Sequence, residues 1–104
     1  MPIRESSEAE VLQLAAAAGA CAVFVYTPLC GTCALAERML DIALAAGVRV
    51  PLVKTNINFA PKLRDAWQIA SVPCLVLLRG GRPVRLAYAM RSVQDVHAML
   101  KELE

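Results

Sequence analysis

Between Glu10 and Glu37 the chain carries no charged side chain, and the period of its apolar residues changes partway through. An uncharged stretch of that length either crosses a membrane or runs through the interior of a folded domain. Local chemistry argues against the span. Gln13, Gly19, Thr27 and Pro28 interrupt it, Cys30 and Cys33 lie within it, and the pattern shifts from helical to strand-like instead of continuing as one helix. A secretory leader is equally out of pattern, since Arg4 is followed by Glu5, Glu8 and Glu10 where a basic region should precede the apolar one. The expectation is a protein of the cytoplasm, with no membrane partner, where thiols are kept reduced.

The chain has 104 residues, enough for one domain and too few for two self-sufficient cores. With 58% hydrophobic and 19% charged residues it can bury a core, which excludes a disordered chain. A net charge of +2 is too mild to imply a nucleic-acid partner. The charges are nevertheless segregated. Glu5, Glu8, Glu10, Glu37 and Asp41 outweigh Arg4 and Arg38 in the first half, whereas Arg79, Arg82, Arg85 and Arg91 dominate the second. That arginine set surrounds an expected hairpin and reads as a solvated face, with steering of an acidic partner as the alternative.

Ser7 followed by Glu10 reads as a capping box that starts a helix carrying Val11, Leu12 and Leu14 through the alanine run to Gly19, expected as its left-handed C′ residue. Cys21 to Tyr26 is a continuous apolar, β-branched run, as expected of a strand covered on both faces. From Thr32 to Ala46 the pattern is helical, with Leu35, Met39, Ile42 and Ala46 as its stripe and Gly47 closing it. Val48 to Ile57 supplies a second strand, and Pro61 opens a short helix through Leu63 and Trp67. Cys74 to Leu78 is a further buried strand, Gly80-Gly81 a hairpin turn, and Val84 to Tyr88 the returning strand. Ser92 caps a last helix whose stripe is Val93, Val96, Leu100 and Leu103. The order α-β-α-β-α-β-β-α demands a layered α/β sandwich. Residues Pro2 to Arg4 are candidates for an additional edge strand.

Four cysteines in a reducing compartment point to catalysis, metal binding or simple burial before they point to a disulfide framework. Cys30 follows the buried strand by one tight turn, where the next helix begins. Unpaired N–H groups and the helix dipole favour an anion there, so its thiol should ionise more readily than a free cysteine. Cys33 lies one helical turn further in, close enough for its sulfur to meet that of Cys30. This pairing suits thiol–disulfide exchange, with Cys30 as nucleophile and Cys33 as resolving thiol. Two inert core cysteines, or two ligands of a zinc site completed by Cys21, Cys74 or His97, are the alternatives.

Phe24 to Cys33, ending in Leu29-Cys30-Gly31-Thr32-Cys33, resembles the active-site strand and loop of the thioredoxin family. Lys54 to Asn58 is similar to the strand that follows in that family, Val72-Pro73 to its cis-proline loop, and Gly80-Gly81 to its hairpin. The likeness runs along nearly all of residues 1–104. It implies a three-layer α/β sandwich with a central mixed sheet and a dithiol–disulfide oxidoreductase needing no bound cofactor or metal. It further implies a cis Pro73 packed beside the sulfurs and a Val72 backbone that hydrogen-bonds substrate. Leu29, Gly31 and Thr32 would complete the substrate-contacting set. Substrates would be disulfide-containing proteins or low-molecular-weight thiols, with an upstream reductase or thiol as electron donor.

Departures from the family narrow that reading. Leu29 and Thr32 stand where its members usually have Trp and Pro, and Ala89 aligns with a glycine beside the substrate groove. The family's buried acid, thought to accept the resolving thiol's proton, aligns with Phe24, yet Lys54 is kept. Lys54 is therefore an auxiliary candidate, and Glu37 a substitute base expected to face solvent. Cys74, directly after Pro73, is either a buried small hydrophobe or a third redox or ligand thiol. These differences favour a specialised thioredoxin-like reductase or oxidant. The competing readings are a thioredoxin-like binding module whose cysteines turn over slowly, and a metal or iron–sulfur protein.

Overall fold

The computed structural model describes residues 3–104, so Pro2 of the expected edge strand lies outside the described residues. The elements run β1 (Arg4–Glu5), α1 (Glu8–Ala17), β2 (Ala20–Tyr26), α2 (Gly31–Ala45), β3 (Leu52–Asn56), a 3-10 turn (Ile57–Phe59), α3 (Pro61–Trp67), β4 (Cys74–Arg79), β5 (Arg82–Ala87) and α4 (Val93–Lys101). The strands form one sheet in the order β1-β3-β2-β4-β5. β1, β3 and β2 are parallel, while β4 and β5 are antiparallel to their neighbours, so the sheet is mixed.

β2 determines this arrangement. Side chains alternate along a strand, and from Cys21 to Val25 not one is more than 1% exposed. Ala22 and Phe24 face α2 and α4, where Leu40, Val96 and Leu100 meet them together with Leu75 and Leu77 of β4. Cys21, Val23 and Val25 face α1 and α3, in a second core with Val11, Leu63, Trp67, Cys74 and Val76. A strand apolar on both faces is stable only between two such layers. The α/β sandwich implied by the element order is therefore the structure observed.

Capping follows the sequence closely at two helices. Ser7 Oγ accepts from the Glu10 N–H while Glu10 accepts from the Ser7 N–H, which completes a capping box on α1. Ser92 Oγ accepts from the Asp95 N–H at the start of α4. Glu8 extends from α1 to accept the Leu63 N–H at 3.0 Å, satisfying one of the orphan donors of α3 and tying the two helices together. Gly80 and Gly81 both take left-handed φ values, +61° and +79°, as a tight hairpin between right-twisted strands requires.

Three expectations need correction. Gly19 does not adopt a left-handed cap: α1 ends at Ala17, and Ala18 is already extended on its way into β2. β3 starts at Leu52, after Pro51, which has no N–H to give to the ladder. The buried face of α2 is also displaced from the expected stripe. Cys33, Ala36, Leu40 and Ala43 are buried, while Leu35 and Ile42 are each 55% exposed. Apart from the side that carries Glu37, Arg38 and Asp41 this helix is apolar, so its period alone does not choose among the remaining faces. Close approach to the sheet and α4 favours the small Ala36 and Ala43 on either side of Leu40.

The displaced face has a measurable consequence. Leu40→Ala should cost about 2–5 kcal/mol of unfolding free energy, as expected for a fully buried leucine. Ile42→Ala should cost well under about 1 kcal/mol. Urea denaturation of both variants checks this, and a larger loss at Ile42 would contradict the face assigned to α2.

Candidate active site

β2 delivers the chain to the edge of the α2 layer, and Thr27 to Leu29 turn it into the helix. Leu29 adopts a left-handed φ of +62° and projects its side chain wholly into solvent. The turn is held from the side by Asn58, whose Nδ2 donates to Thr27 Oγ1 at 3.1 Å. Cys30 is then the N-cap of α2, in extended conformation, and its Sγ accepts the Cys33 N–H at 3.2 Å. Thr32 Oγ1 lies 3.4 Å from the same sulfur. The cysteine thus occupies the place where a helix offers unpaired donors to an anion.

The two thiols differ in environment. Cys30 is half-buried and its thiol is held below the ordinary cysteine range, first by a hydrogen bond from the Cys33 side chain and then by the Thr32 hydroxyl. The backbone N–H groups of Cys33 and Thr32 act in the same direction. Thr32 therefore contributes twice where a proline could contribute neither a hydroxyl nor an N–H. Cys33 is 3% exposed and is pushed up to about 11, first by burial and then by its hydrogen bond to Cys30. Both are free thiols in this structure. The arrangement provides one accessible, readily ionised sulfur and one protonated sulfur held beside it.

The Val72–Pro73 peptide is cis. Pro73 lines a cavity of about 330 Å³ together with Thr32, Leu35, Tyr88 and Ala89. Val72 lines a second cavity, of about 120 Å³, on the side of Ile57, Ile69 and Ala70. Gly31 is exposed at the start of α2, with open space where a side chain would stand. Thr32 and Pro73 therefore border one cavity beside the cysteines, with Val72 on its neighbour.

Phe24 is fully buried and stacks on Tyr26 at 6.2 Å between ring centroids. Lys54 pairs with Phe24 in the β2–β3 register, on the face that carries Cys33. Its Nζ donates to Glu37 at 2.8 Å and sits 5.5 Å from the centroid of the Tyr26 ring. Glu37 does not face solvent as expected; its side chain is only 25% exposed, because the half-buried ammonium of Lys54 needs a counter-charge that Phe24 cannot supply. Lys54 is accordingly bound to Glu37 and Tyr26, and it makes no ion pair or hydrogen bond with either sulfur.

Cys74 does not join the pair. It sits opposite Val25 in the β2–β4 register and packs into the core on the α1–α3 face, whereas Cys33 packs on the α2–α4 face. Burial pushes its thiol up to about 11, opposed only by a hydrogen bond with the Tyr88 side chain. Tyr88 escaped the sequence reading. Its Oη accepts the Ala70 N–H at 3.0 Å, which links the segment before Pro73 to the end of β5. An aromatic hydroxyl immediately after a strand was the signal available. Among the described residues no three His, Cys, Asp or Glu side chains gather as metal ligands, and no helix is long and apolar enough to cross a membrane.

No family model matches the chain. Among curated proteins, it is 39% identical over 80 residues to the thioredoxin-like protein YusE of Bacillus subtilis, covering 77% of this chain and 76% of that protein. It is 29% identical over 75 residues to thioredoxin from Alicyclobacillus acidocaldarius, covering 71% of each. Among solved structures, a mutant thioredoxin from Halobacterium salinarum superposes with a TM-score of 0.83 at 19% identity, over 98% of this chain and 89% of that one. The oxidised thioredoxin of Plasmodium falciparum gives 0.84 at 12% identity, over 96% of each. These structural likenesses establish a thioredoxin fold.

The split between the sulfurs fixes how they should titrate. Alkylation by iodoacetamide should modify Cys30 first, with a rate that rises with pH through a midpoint below about 8.5, the free-cysteine value. Cys33 and Cys74 should stay unmodified until far more alkaline pH. Thr32→Ala removes the hydroxyl and should move the Cys30 midpoint upward, lowering its rate near neutral pH. Peptide mapping of the labelled protein across pH reads both effects, and an unchanged midpoint would remove Thr32 from the site.

Proposed function

Because the chain belongs to the thioredoxin-like family, which exchanges thiols and disulfides through a Cys-X-X-Cys pair, we propose that it is a dithiol–disulfide oxidoreductase acting through Cys30 and Cys33. The single observation that carries this reading is the contrast between the two thiols: Cys30 lowered at the mouth of α2, Cys33 buried and raised beside it. In the reducing direction the Cys30 thiolate attacks a substrate disulfide. One substrate sulfur leaves and takes a proton from solvent, and the other is held in a mixed disulfide with Cys30. Cys33 then loses its proton and attacks Cys30 Sγ, releasing the second substrate thiol. The protein ends as a disulfide, having given two electrons to the substrate, and an upstream reductase or thiol restores the dithiol. A reducing compartment such as the cytoplasm suits that cycle.

Leu29, Gly31, Thr32, Val72 and Pro73 would form the substrate-contacting rim. Phe24, Leu29 and Ala89 favour a second reading, a binding module of the same fold whose cysteines turn over slowly. Reduction of insulin with dithiothreitol as donor separates the two: turnover well above the dithiothreitol background supports the enzyme, and none supports the module.

Cys33→Ser should accumulate mixed disulfides with partners and Cys30→Ser should accumulate none; equal trapping by both would reject the assignment of roles. The donors that Thr32 adds stabilise the Cys30 thiolate, and hence the reduced protein, which makes the couple more oxidising. Its reduction potential should fall between about −270 mV, typical of thioredoxin, and about −180 mV, typical of disulfide isomerase. Equilibration with glutathione measures it, and a value at or below about −270 mV would overturn the role given to Thr32.

A further inference from the structure

The two cavities bordered by Val72 and Pro73 share an electrostatic character. Arg64 is the charged residue among those lining the smaller one, and Arg91 among those lining the larger. Among the described residues no carboxylate lines either. Both arginines are exposed, and among the described residues neither guanidinium comes within 4.0 Å of a carboxylate. Of the acids near these arginines, Asp65 adjoins Arg64 in α3 without pairing with its guanidinium, and two others are held elsewhere. Glu37 is neutralised by Lys54 at 2.8 Å, and the Asp95 carboxylate faces the backbone N–H of Arg91, at 3.5 Å. The arginines around the hairpin do not contribute to this face: Arg85 pairs with Glu102, and Arg79 donates to the Glu102 carbonyl at the end of α4.

One hydrogen bond joins the linings of the two cavities: Tyr88 lines the larger, and its hydroxyl accepts the N–H of Ala70, which lines the smaller. Leu35, Ala89 and Pro73 give the larger cavity an apolar lining, and Thr32, two residues after Cys30, borders it. Leu29 and Phe59 are also exposed, 107% and 76% respectively.

We propose that this face is a docking surface for an extended, acidic polypeptide segment, with its disulfide over Cys30 and a carboxylate on each side, one met by Arg64 and the other by Arg91. The proposal rests on the oxidoreductase reading and specifies the substrate class for that site. Charge complementarity carries it. A carboxylate-bearing substrate approaching a Cys30 thiolate would be repelled, and two unpaired guanidiniums at the flanking cavities offset that repulsion. Arg can hold a carboxylate through paired N–H donors in a way a point charge cannot. A polypeptide is favoured over a small anionic disulfide because the two arginines line different cavities, one bordered by Val72 and the other by Pro73, so that engaging both requires a ligand that reaches from one cavity to the next.

The test uses the pre-reduced full-length protein and three disulfide probes: a peptide with glutamates flanking its disulfide, the same peptide with lysines there, and oxidised glutathione. At low salt the glutamate peptide should be reduced roughly ten-fold or more faster than the lysine peptide, within the range electrostatic steering provides. Raising the salt should erase most of that advantage in the unmodified protein, because exposed charges are screened. In Arg64→Gln/Arg91→Gln the preference should collapse towards equality. Equal rates for both peptides, a preference that survives in the double variant, or oxidised glutathione outrunning the acidic peptide would each overturn the proposal while leaving the oxidoreductase reading intact. Failure to reduce any of the three would remove that reading and the proposal with it.

Discussion

β2 has no face available to solvent, and the rest of the structure follows from that constraint. Five consecutive side chains, Cys21 to Val25, must be covered from both sides, which places α2 and α4 on one face and α1 and α3 on the other. The same strand pairs with β3 and β4, so its C-terminal end sits at the middle of the sheet, flanked by β3's end and β4's beginning. Whatever follows Tyr26 is therefore held by the most rigid part of the molecule. Cys30 and Cys33 follow it within one short turn, and Val72–Pro73 immediately precedes β4. The geometry around the cysteine pair is thus inherited from the burial of one strand rather than built by the loops themselves.

At that position the helix does two different things to two chemically identical groups. It offers donors to Cys30, which caps it, and it carries Cys33 into the α2–α4 core, where a charge would be poorly solvated. Desolvation and hydrogen bonding thus act in opposite directions at residues three apart, and the proposed division into nucleophile and resolving thiol rests on their difference. Phe24 sharpens the contrast, since it adds apolar surface where an acid would have added a proton acceptor. The cation that such an acid would have matched is retained in Lys54 and is satisfied instead from α2 by Glu37. The cation stays on the sheet while its carboxylate partner comes from α2, and the buried sulfur is left in apolar company.

Around the site, single contacts serve more than one segment. Tyr88 joins the segment before Pro73 to the chain leaving β5, so the two loops beside the cysteines are coupled by one hydroxyl. Cys74 lies on the side of the sheet opposite Cys33. A cysteine adjacent to Pro73 in sequence is thereby kept out of the chemistry by the alternation of a strand. The arginines sort by the same logic of placement: Arg79 and Arg85 near the hairpin turn towards the end of α4, and Arg64 and Arg91 line the cavities bordered by Val72 and Pro73.

Much of this was legible in residues that act locally. The capping residues Ser7 and Ser92, the Gly80–Gly81 turn, the two-sided burial of Cys21 to Tyr26 and the placement of Cys30 at a helix start depend on short-range geometry, and each appears where its residues imply. Motif and order together made the thioredoxin fold readable before any coordinates. The buried face of α2 was not legible, because a helix apolar on all but its charged side has no preferred face among the rest until neighbours approach it. The partner of Lys54, the exclusion of Cys74 and the placing of Arg64 and Arg91 on the linings of the two cavities were equally hidden. Each depends on which side chains from distant segments meet, and a strand's alternation or a cavity's lining exists only once the sheet has formed. Fold and reactive pair could be read along the chain because periodicity and the chemistry of a helix terminus are local properties. Which charges stay unpaired, and which sulfurs share a face, emerged only on folding, because both are set by contacts between residues far apart in the chain.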